Sequence, residues 1–234
     1  ANWLADQLRR AHLLDGVAWS EMAVLVRSAA VSFPVLQRAL AVSGVPVAVA
    51  VDEVPLAGQP AVRPFLELLR VVADPRRLDP PTVETLLASP LGGADPMALR
   101  RLRRGLRRLE LAAGGARSSD ELLVEALSGE DVLAALDAAD AGPLRRVATL
   151  LGIARRAVAE GATVESVLWR VWQATGLSRR WVALAERGGP AGAKADRDLD
   201  AVVAMCHAAA RYSDRLPGAG VGQFADYLAA QQIV

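Results

Sequence analysis

The chain has 234 residues, of which 53% are apolar and 23% charged, and its net charge is +1. This composition excludes an intrinsically disordered chain, and the length allows one large domain or two modest ones with a sizeable core. The near-neutral net charge argues neither for nor against a nucleic-acid partner. Lys194 is the only lysine, so apart from two histidines every basic side chain is an arginine, whose planar fork of donors suits phosphate.

The cysteine and histidine counts exclude several kinds of site. Cys206 is the only cysteine, so neither an internal disulfide nor a thiolate metal cluster can form, and the two histidines, His12 and His207, argue against a zinc site. No signal peptide and no apolar run of membrane-spanning length is present, so we expect a cytoplasmic protein. The chain begins inside an amphipathic pattern without an initiator Met and ends without a helix stop signal. We therefore expect both ends to be cuts through a longer polypeptide.

The first fifty residues predict a small α/β segment. Residues 2–14 have helical periodicity, and Met22–Val26 is a continuous apolar run typical of a buried strand. A helix over about 32–43 follows, and Val45–Val51 predicts a second buried strand. A strand, a helix and a strand in this order form the βαβ unit of a parallel sheet. Two strands alone do not make a stable sheet, so we expect further strands from outside the chain.

From Asp52 onward the strand signal disappears, and the sequence predicts a body made only of helices. Asp79 before two prolines is typical of a helix N-cap, and Ser118 with Glu121 forms a capping-box pattern. The predicted fold is therefore mainly α: a small βαβ segment followed by a multi-helix domain. The helices are predicted at 60–73, from Asp79 onward, and at 95–112, 118–127, 131–139, 143–160, 164–175, 178–187, 195–213 and 221–232.

The helix that contains Met97–Leu109 carries the strongest charge pattern. At 100° per residue, four leucines fall within about 80° of one another, and six arginines spread over roughly 160° on the opposite side. One interpretation is a surface that contacts phosphates and positions a duplex without reading its sequence. The other is a solvated face that pairs with acidic residues from elsewhere in the fold. The arginines are Arg100, Arg101, Arg103, Arg104, Arg107 and Arg108, and all of them except Arg103 are candidate DNA-binding residues.

No complete active site is recognisable in the sequence. A phosphate-binding loop needs a glycine and then Ser or Thr beside its lysine, whereas Ala193 and Ala195 flank Lys194, so Gly188–Ala195 is interpreted as a linker. The three alternating aspartates at 196, 198 and 200 fan out on a helix and do not converge on a metal. No Ser–His–acid motif is present. We expect no catalytic residue, no metal ligand and no cofactor within this chain.

Three tryptophans, Trp169, Trp172 and Trp181, follow one another within or near predicted helices. They suit either base stacking or packing in the core, and packing is the favoured interpretation.

Several segments resemble a known family. Trp19–Ser28, Leu36–Leu40 and Gly44–Val47 resemble the second RecA-like domain, 2A, of UvrD, PcrA and Rep helicases of superfamily 1. Val62–Arg70 is similar to the helix that opens their inserted 2B domain. Leu87–Gly93 looks like the SPL-G turn of RecB- and AddA-like helicase–nucleases. Ala174–Leu177 resembles a later SGL motif of 2B, and the richness in Ala and Arg is similar to the AdnA/AdnB pair.

The resemblance implies that residues 1–51 belong to domain 2A and residues 52–234 to domain 2B of a DNA helicase. In that family, 2A closes on ATP and Mg²⁺ with a second motor domain, and 2B contacts the duplex or a partner subunit. By this likeness Arg27 and Ser28 lie near the groove for single-stranded DNA. The implied partners are DNA at a single-strand/duplex junction, the remaining helicase domains and, as in two-motor helicase–nucleases, a second helicase–nuclease subunit, with no membrane. The isolated chain is expected to be inactive.

Two departures from the family keep an alternative open. Leu91-Gly92-Gly93 does not match the Gly-Ile-Gly turn with which UvrD-type 2B domains grip duplex DNA, so the neighbouring arginine helix would have to replace it. The phosphate loop and the other ATPase motifs of the family are absent. The alternative is a protein–protein interface module of a multisubunit helicase–nuclease without direct DNA contact. The two hypotheses differ in whether the arginine face is open or is paired with acids.

Overall fold

The structure is a computed structural model, and it describes residues 1–26, 29–47, 55–128, 136 and 138–231. The chain divides into two compact units, Ala1–Pro55 and Leu56–Val234. The assignment of these units to domains 2A and 2B stays a prediction.

The first unit has a very small core. Helix α1 (Asn2–Leu14) and helix α2 (Ala29–Val42) contact each other, and a short 3-10 turn at Trp19–Glu21 lies between them in the chain. Ala5, Leu40 and Val45 are its buried apolar residues among those described, with Leu8 and Trp19 packed against them. The sequence-based predictions of both helices are confirmed to within three residues.

The prediction of a βαβ segment is not supported. Met22–Val26 and Val45–Val47 form no strand, and residues 48–51 lie outside the described part of the chain. Leu25 is 95% exposed, which is the opposite of a buried strand position. A strand exists only where its backbone groups pair with a neighbouring strand, and no described segment of this unit supplies one. The apolar runs predicted strands, but the described residues of this unit contain no neighbouring strand with which they could pair.

The second unit is built from helices throughout its described residues. Proline in the first turn and a capping aspartate start two of these helices. Glycine with positive φ separates others, as at Gly176 between the helices that end at Thr175 and begin at Leu177. The helices are α3 (Arg63–Ala73), α4 (Pro80–Ala88), α5 (Pro96–Ala112), α6 (Ser119–Ser128), α7 (Ala138–Ala159), α8 (Val164–Thr175), α9 (Leu177–Arg187), α10 (Gly189–Arg215) and α11 (Val221–Ala230), with 3-10 turns at Leu56–Gly58 and Pro75–Arg77.

One apolar core runs through this unit. Helix α3 contributes six buried residues and contacts α4, α7 and α11, while α7 also contacts α5, α6 and α8. Helices α8, α9 and α10 contact one another and extend the same core. Helices α3 and α7 are therefore covered on several sides and form the buried centre of the unit. Helix α5, which carries the arginines, packs against α7.

The predicted caps of this unit are confirmed. Asp79 accepts a hydrogen bond from the backbone N–H of Thr82 at 2.9 Å. The side chain of Thr82 and this backbone bond lower the pKa of the Asp79 carboxyl. The backbone N–H of Glu121 donates to Ser118 Oγ at 3.2 Å, and Glu121 accepts from the Ser118 backbone at 2.7 Å. Both motifs act within four residues, so they form wherever the helix forms.

Two other predictions for this unit have different outcomes. The linker predicted at Gly188–Ala195 is wrong, because α10 already begins at Gly189 with Pro190 in its first turn. Gly192 in that first stretch lies close to the carbonyl oxygen of Leu184, so the absence of a side chain allows α9 and α10 to approach each other. The helix predicted at 131–139 lies mostly outside the described residues.

Among the described residues, no helix combines the length and apolar character needed to cross a bilayer.

Candidate nucleic-acid interface

Helix α5 is the element that positions the predicted DNA-binding arginines. It starts where Asp95 accepts a hydrogen bond from the backbone N–H of Ala98 at 2.7 Å, and Pro96 occupies its first turn. Leu102 and Leu106 are 0% and 1% exposed and fix one side of the helix in the core. The arginines are therefore forced onto the opposite side, as the periodicity predicts.

The arginines at the two margins of this face are paired with acids. Arg101 Nε lies 3.2 Å from Asp140 Oδ1 on α7. Arg103 Nη2 lies 3.0 Å from Glu84 Oε2 on α4 and 3.0 Å from Asp120 Oδ1 on α6. These ion pairs tie α5 to three neighbouring helices and occupy both guanidinium groups. Arg101 and Arg103 thus follow the alternative interpretation, a face paired with acids from elsewhere.

A second group of charges closes the loop after α5. Arg117 donates to Glu110 from its backbone N–H, its Nε and its Nη2 at 3.0, 3.0 and 2.7 Å, and its Nη1 donates to Glu125. The hydrogen bonds from Arg117 hold the pKa of the Glu110 carboxyl at about 2, below its usual 4.5. The same bonds raise the pKa of the Arg117 guanidinium. Arg107 Nη1 in turn donates to the carbonyl oxygen of Arg117 at 2.7 Å, so Arg107 belongs to this cluster.

Three arginines remain exposed in the middle of the face: Arg100, Arg104 and Arg108. None of the three has a hydrogen bond or an ion pair with any of the residues that the structure describes. Their spacing of four residues places successive side chains on one side of the helix, with a rise of about 6 Å from one to the next. We call these three residues the arginine stripe. Three like charges in a row repel one another, and an anion that bridges them relieves this repulsion.

The seven residues predicted as DNA-binding thus divide into three groups. Arg27 and Ser28 lie outside the described residues. The structure brings Arg100, Arg104 and Arg108 together on one exposed line, while Arg101 and Arg107 are held by partners inside the fold.

Sequence reasoning missed the partners of these arginines. Asp140 is 39 residues from Arg101 along the chain, and no local pattern connects the two. Arg117 lies in the loop between α5 and α6 and binds both Glu110 and Glu125. No pattern in the sequence predicts these contacts. The one available signal was Glu110 itself, the acidic residue that closes the arginine-rich helix.

The turn at Ser89–Gly93, which resembles the SPL-G motif, is packed into the fold. The Ser89 hydroxyl donates to the Leu86 carbonyl at 2.7 Å, and Leu91 is 2% exposed. The Arg146 guanidinium donates from Nε to the carbonyl oxygen of Gly92 at 2.8 Å. This geometry makes the turn a junction between α4, α5 and α7, and its own groups are largely occupied within the protein.

The tryptophans separate into core and surface. Trp172 is 8% and Trp181 5% exposed, with ring centroids 5.7 Å apart, and Phe65 lies 6.1 Å from Trp172. This confirms the predicted packing role for those two residues. Trp169 is 52% exposed and is not part of that cluster.

Lys194 and the alternating aspartates at 196, 198 and 200 all lie on helix α10. Lys194 lies on α10 and forms an ion pair with Asp198, so its charge is occupied on a helix surface. Within the described ranges, no group of three His, Cys, Asp or Glu side chains could hold a metal ion. Burial raises the pKa of the Cys206 thiol, which is the reverse of an activated nucleophile.

A shallow cleft of about 460 Å³ lies between α3 and α11. Of its two arginines, Arg70 is held by Glu67, Asp226 and the Ala225 carbonyl. The lining also includes Arg77 and Asp74.

The comparisons with known proteins add no family assignment. No protein-family model matches the chain, and a search of curated proteins finds no similar sequence.

Proposed function

We propose that this chain is the helical accessory part of an ATP-dependent DNA helicase of the UvrD/RecB kind, acting in DNA repair or recombination. In this proposal the unit Leu56–Val234 corresponds to a 2B domain that contacts duplex DNA or regulates unwinding. ATP and Mg²⁺ are bound by the motor domains of the parent enzyme, and this chain supplies no step of the hydrolysis.

The observation that supports the proposal is the arginine stripe. Arginine forms charge-assisted hydrogen bonds with phosphate, and exposed arginines without protein partners are available to do so. Their helix is anchored by buried leucines and by the ion pairs of Arg101 and Arg103. Phosphate contacts of this kind position a protein on DNA without reading its sequence.

A fluorescence-anisotropy titration tests the proposal. The 234-residue chain is added to a labelled duplex that carries a single-stranded tail, from low salt to above physiological salt. We expect binding that weakens steadily as the salt concentration rises, because counterions are released from the phosphates. An absence of binding to any DNA even at low salt would contradict the proposal.

A second candidate function is a subunit interface without DNA contact. It is favoured by the apolar side chains that the unit Ala1–Pro55 leaves exposed, among them Leu25 at 95%, Val42 at 85% and Leu14 at 74%. Exposed apolar surface beyond scattered single residues is typical of protein–protein contact sites. This function predicts no change in anisotropy in the titration above, so the same experiment separates the two candidates.

A further inference from the structure

The three arginines of the stripe have no partner among the described residues. The other three arginines of α5 are bound within the fold: Arg101, Arg103 and Arg107. On the basis of the proposed function, we infer that Arg100, Arg104 and Arg108 bind the sugar-phosphate backbone of double-stranded DNA, and that they do so without reading base sequence. This inference names the bound chemical group and restricts the contact to three of the six arginines on the helix.

Ion pairs on both margins of α5 hold this helix against its neighbours. The ion pair of Arg101 with Asp140 ties one margin of α5 to α7, and the ion pairs of Arg103 with Glu84 and Asp120 tie the other margin to α4 and α6. The backbone that carries the stripe between these margins is therefore held in place. Its three arginines leave the helix at a constant spacing, which favours a ligand with a regular row of opposite charges.

The composition of α5 then favours duplex over single-stranded DNA. Proteins that bind single strands commonly combine basic side chains with aromatic rings on which bases stack. Helix α5, Pro96–Ala112, contains no aromatic residue. Its exposed line offers guanidinium groups only, and these match a phosphate backbone that is already ordered by the duplex.

Because the other three arginines of α5 have partners within the protein, we expect three phosphate contacts. Arg101 and Arg103 are neutralised by acids, and Arg107 is bonded to the carbonyl oxygen of Arg117. Three phosphate contacts on B-form DNA correspond to a slope of about −2.7 in a plot of log affinity against log salt. Such a slope means that affinity falls about 40-fold for a fourfold rise in salt.

The test compares the wild-type chain with Arg100→Ala/Arg104→Ala/Arg108→Ala. Binding is measured by anisotropy on blunt duplexes of two unrelated sequences and on a single strand of the same length, each across a salt series. We expect the wild-type chain to bind both duplexes equally and more tightly than the single strand. The triple variant should lose most of the affinity, and its salt slope should approach zero.

Two further variants make the result specific. Arg179→Ala/Arg187→Ala/Arg211→Ala removes the same charge from exposed arginines of α9 and α10 that lack partners among the described residues, and it should keep the wild-type slope. Lysine at the three stripe positions should also keep most of the slope, because the slope reflects the number of phosphates that are neutralised and lysine carries the same charge. Circular dichroism spectra show whether each variant retains the helical fold.

The outcomes distinguish this inference from the proposed function. If the wild-type chain binds DNA but the stripe variant binds with an unchanged slope, the inference is wrong and the proposed function stands. Tighter binding to the single strand, or a clear preference between the two duplex sequences, also overturns the inference. If the wild-type chain binds neither duplex nor single strand, both fail.

Discussion

The carboxyl group of Glu110 lies buried near the end of α5, where Arg117 donates three hydrogen bonds to its two oxygens. Buried carboxylates are tolerated when they are fully hydrogen-bonded to an opposite charge. The contact fixes the loop between α5 and α6, and through the Arg117 carbonyl it also fixes Arg107. Gly115 belongs to the same arrangement, since a Cβ at that position would lie 2.0 Å from Glu110 Oε1.

Replacing Glu110 with Gln is expected to lower the melting temperature and to remove a pH dependence. The pKa of Glu110 is about 2 in the folded chain and near 4.5 when unpaired, so the unfolded state binds the proton more readily. Its contribution to stability is therefore complete above pH 4.5 and is lost as the pH falls toward about 2. Urea unfolding of both proteins across this pH range measures the effect.

The control for Glu110 is Glu186→Gln on α9, an exposed carboxylate without a partner among the described residues. That variant should track the wild-type curve. A stability difference between wild type and Glu110→Gln that does not shrink as the pH falls would show that the carboxylate charge is not what stabilises the loop.

At the scale of single elements, the turn between α4 and α5 depends on one glycine. A Cβ at Gly92 would lie 2.3 Å from the Leu87 carbonyl oxygen and 2.5 Å from Leu87 Cα, which are backbone atoms that cannot move independently. The Gly92 carbonyl also accepts from Arg146 on α7. The close approach of the turn to α4 therefore requires a residue without a side chain.

The substitution Gly92→Ala is expected to destabilise the chain by roughly 1–3 kcal/mol, because the turn must move away from α4. Gly152 on α7 is the matched control, since nothing lies within 4 Å of the position of its Cβ. Gly152→Ala should stabilise the chain by about 0.5–1 kcal/mol, as alanine does inside a helix. Equilibrium urea unfolding measures both; equal and small effects would mean that the turn adapts to a side chain.

Helix-scale predictions from the sequence succeeded where the signals were local. The caps at Asp79 and Ser118 and the two faces of α5 follow from residues within one or two turns. The predicted strands failed because a strand depends on a distant partner. The linker predicted at Gly188–Ala195 was wrong because α10 begins at Gly189, and Gly192 packs closely against α9. Tertiary context overrides local propensity at such places.

At the scale of the whole molecule, the two units differ in how much apolar surface each buries. The unit Leu56–Val234 contains a continuous core that includes residues of all nine of its described helices. The unit Ala1–Pro55 buries Ala5, Leu40 and Val45 among its described residues and leaves large apolar side chains exposed. Chains of this small size are marginally stable even with a complete core.

We expect residues 56–234 to fold when expressed alone and residues 1–55 to remain largely unfolded. Circular dichroism should show a cooperative thermal transition for the longer piece, because its buried core is intact, and a weak helical signal without cooperativity for the shorter one. A stable, cooperative melt of residues 1–55 would show that its few buried contacts suffice.

The sequence by itself determined that the body is helical, where most of its helices begin and end, and that one helix presents arginines opposite leucines. These features depend on periodicity and capping, which act within a few residues. The tertiary structure decided which arginines are free. Asp140, Glu84 and Asp120 reach α5 from other helices and neutralise its margins, and Arg117 holds Arg107. Pairing between charges depends on distances across the fold, so the arginine stripe emerged only when the helices were packed together.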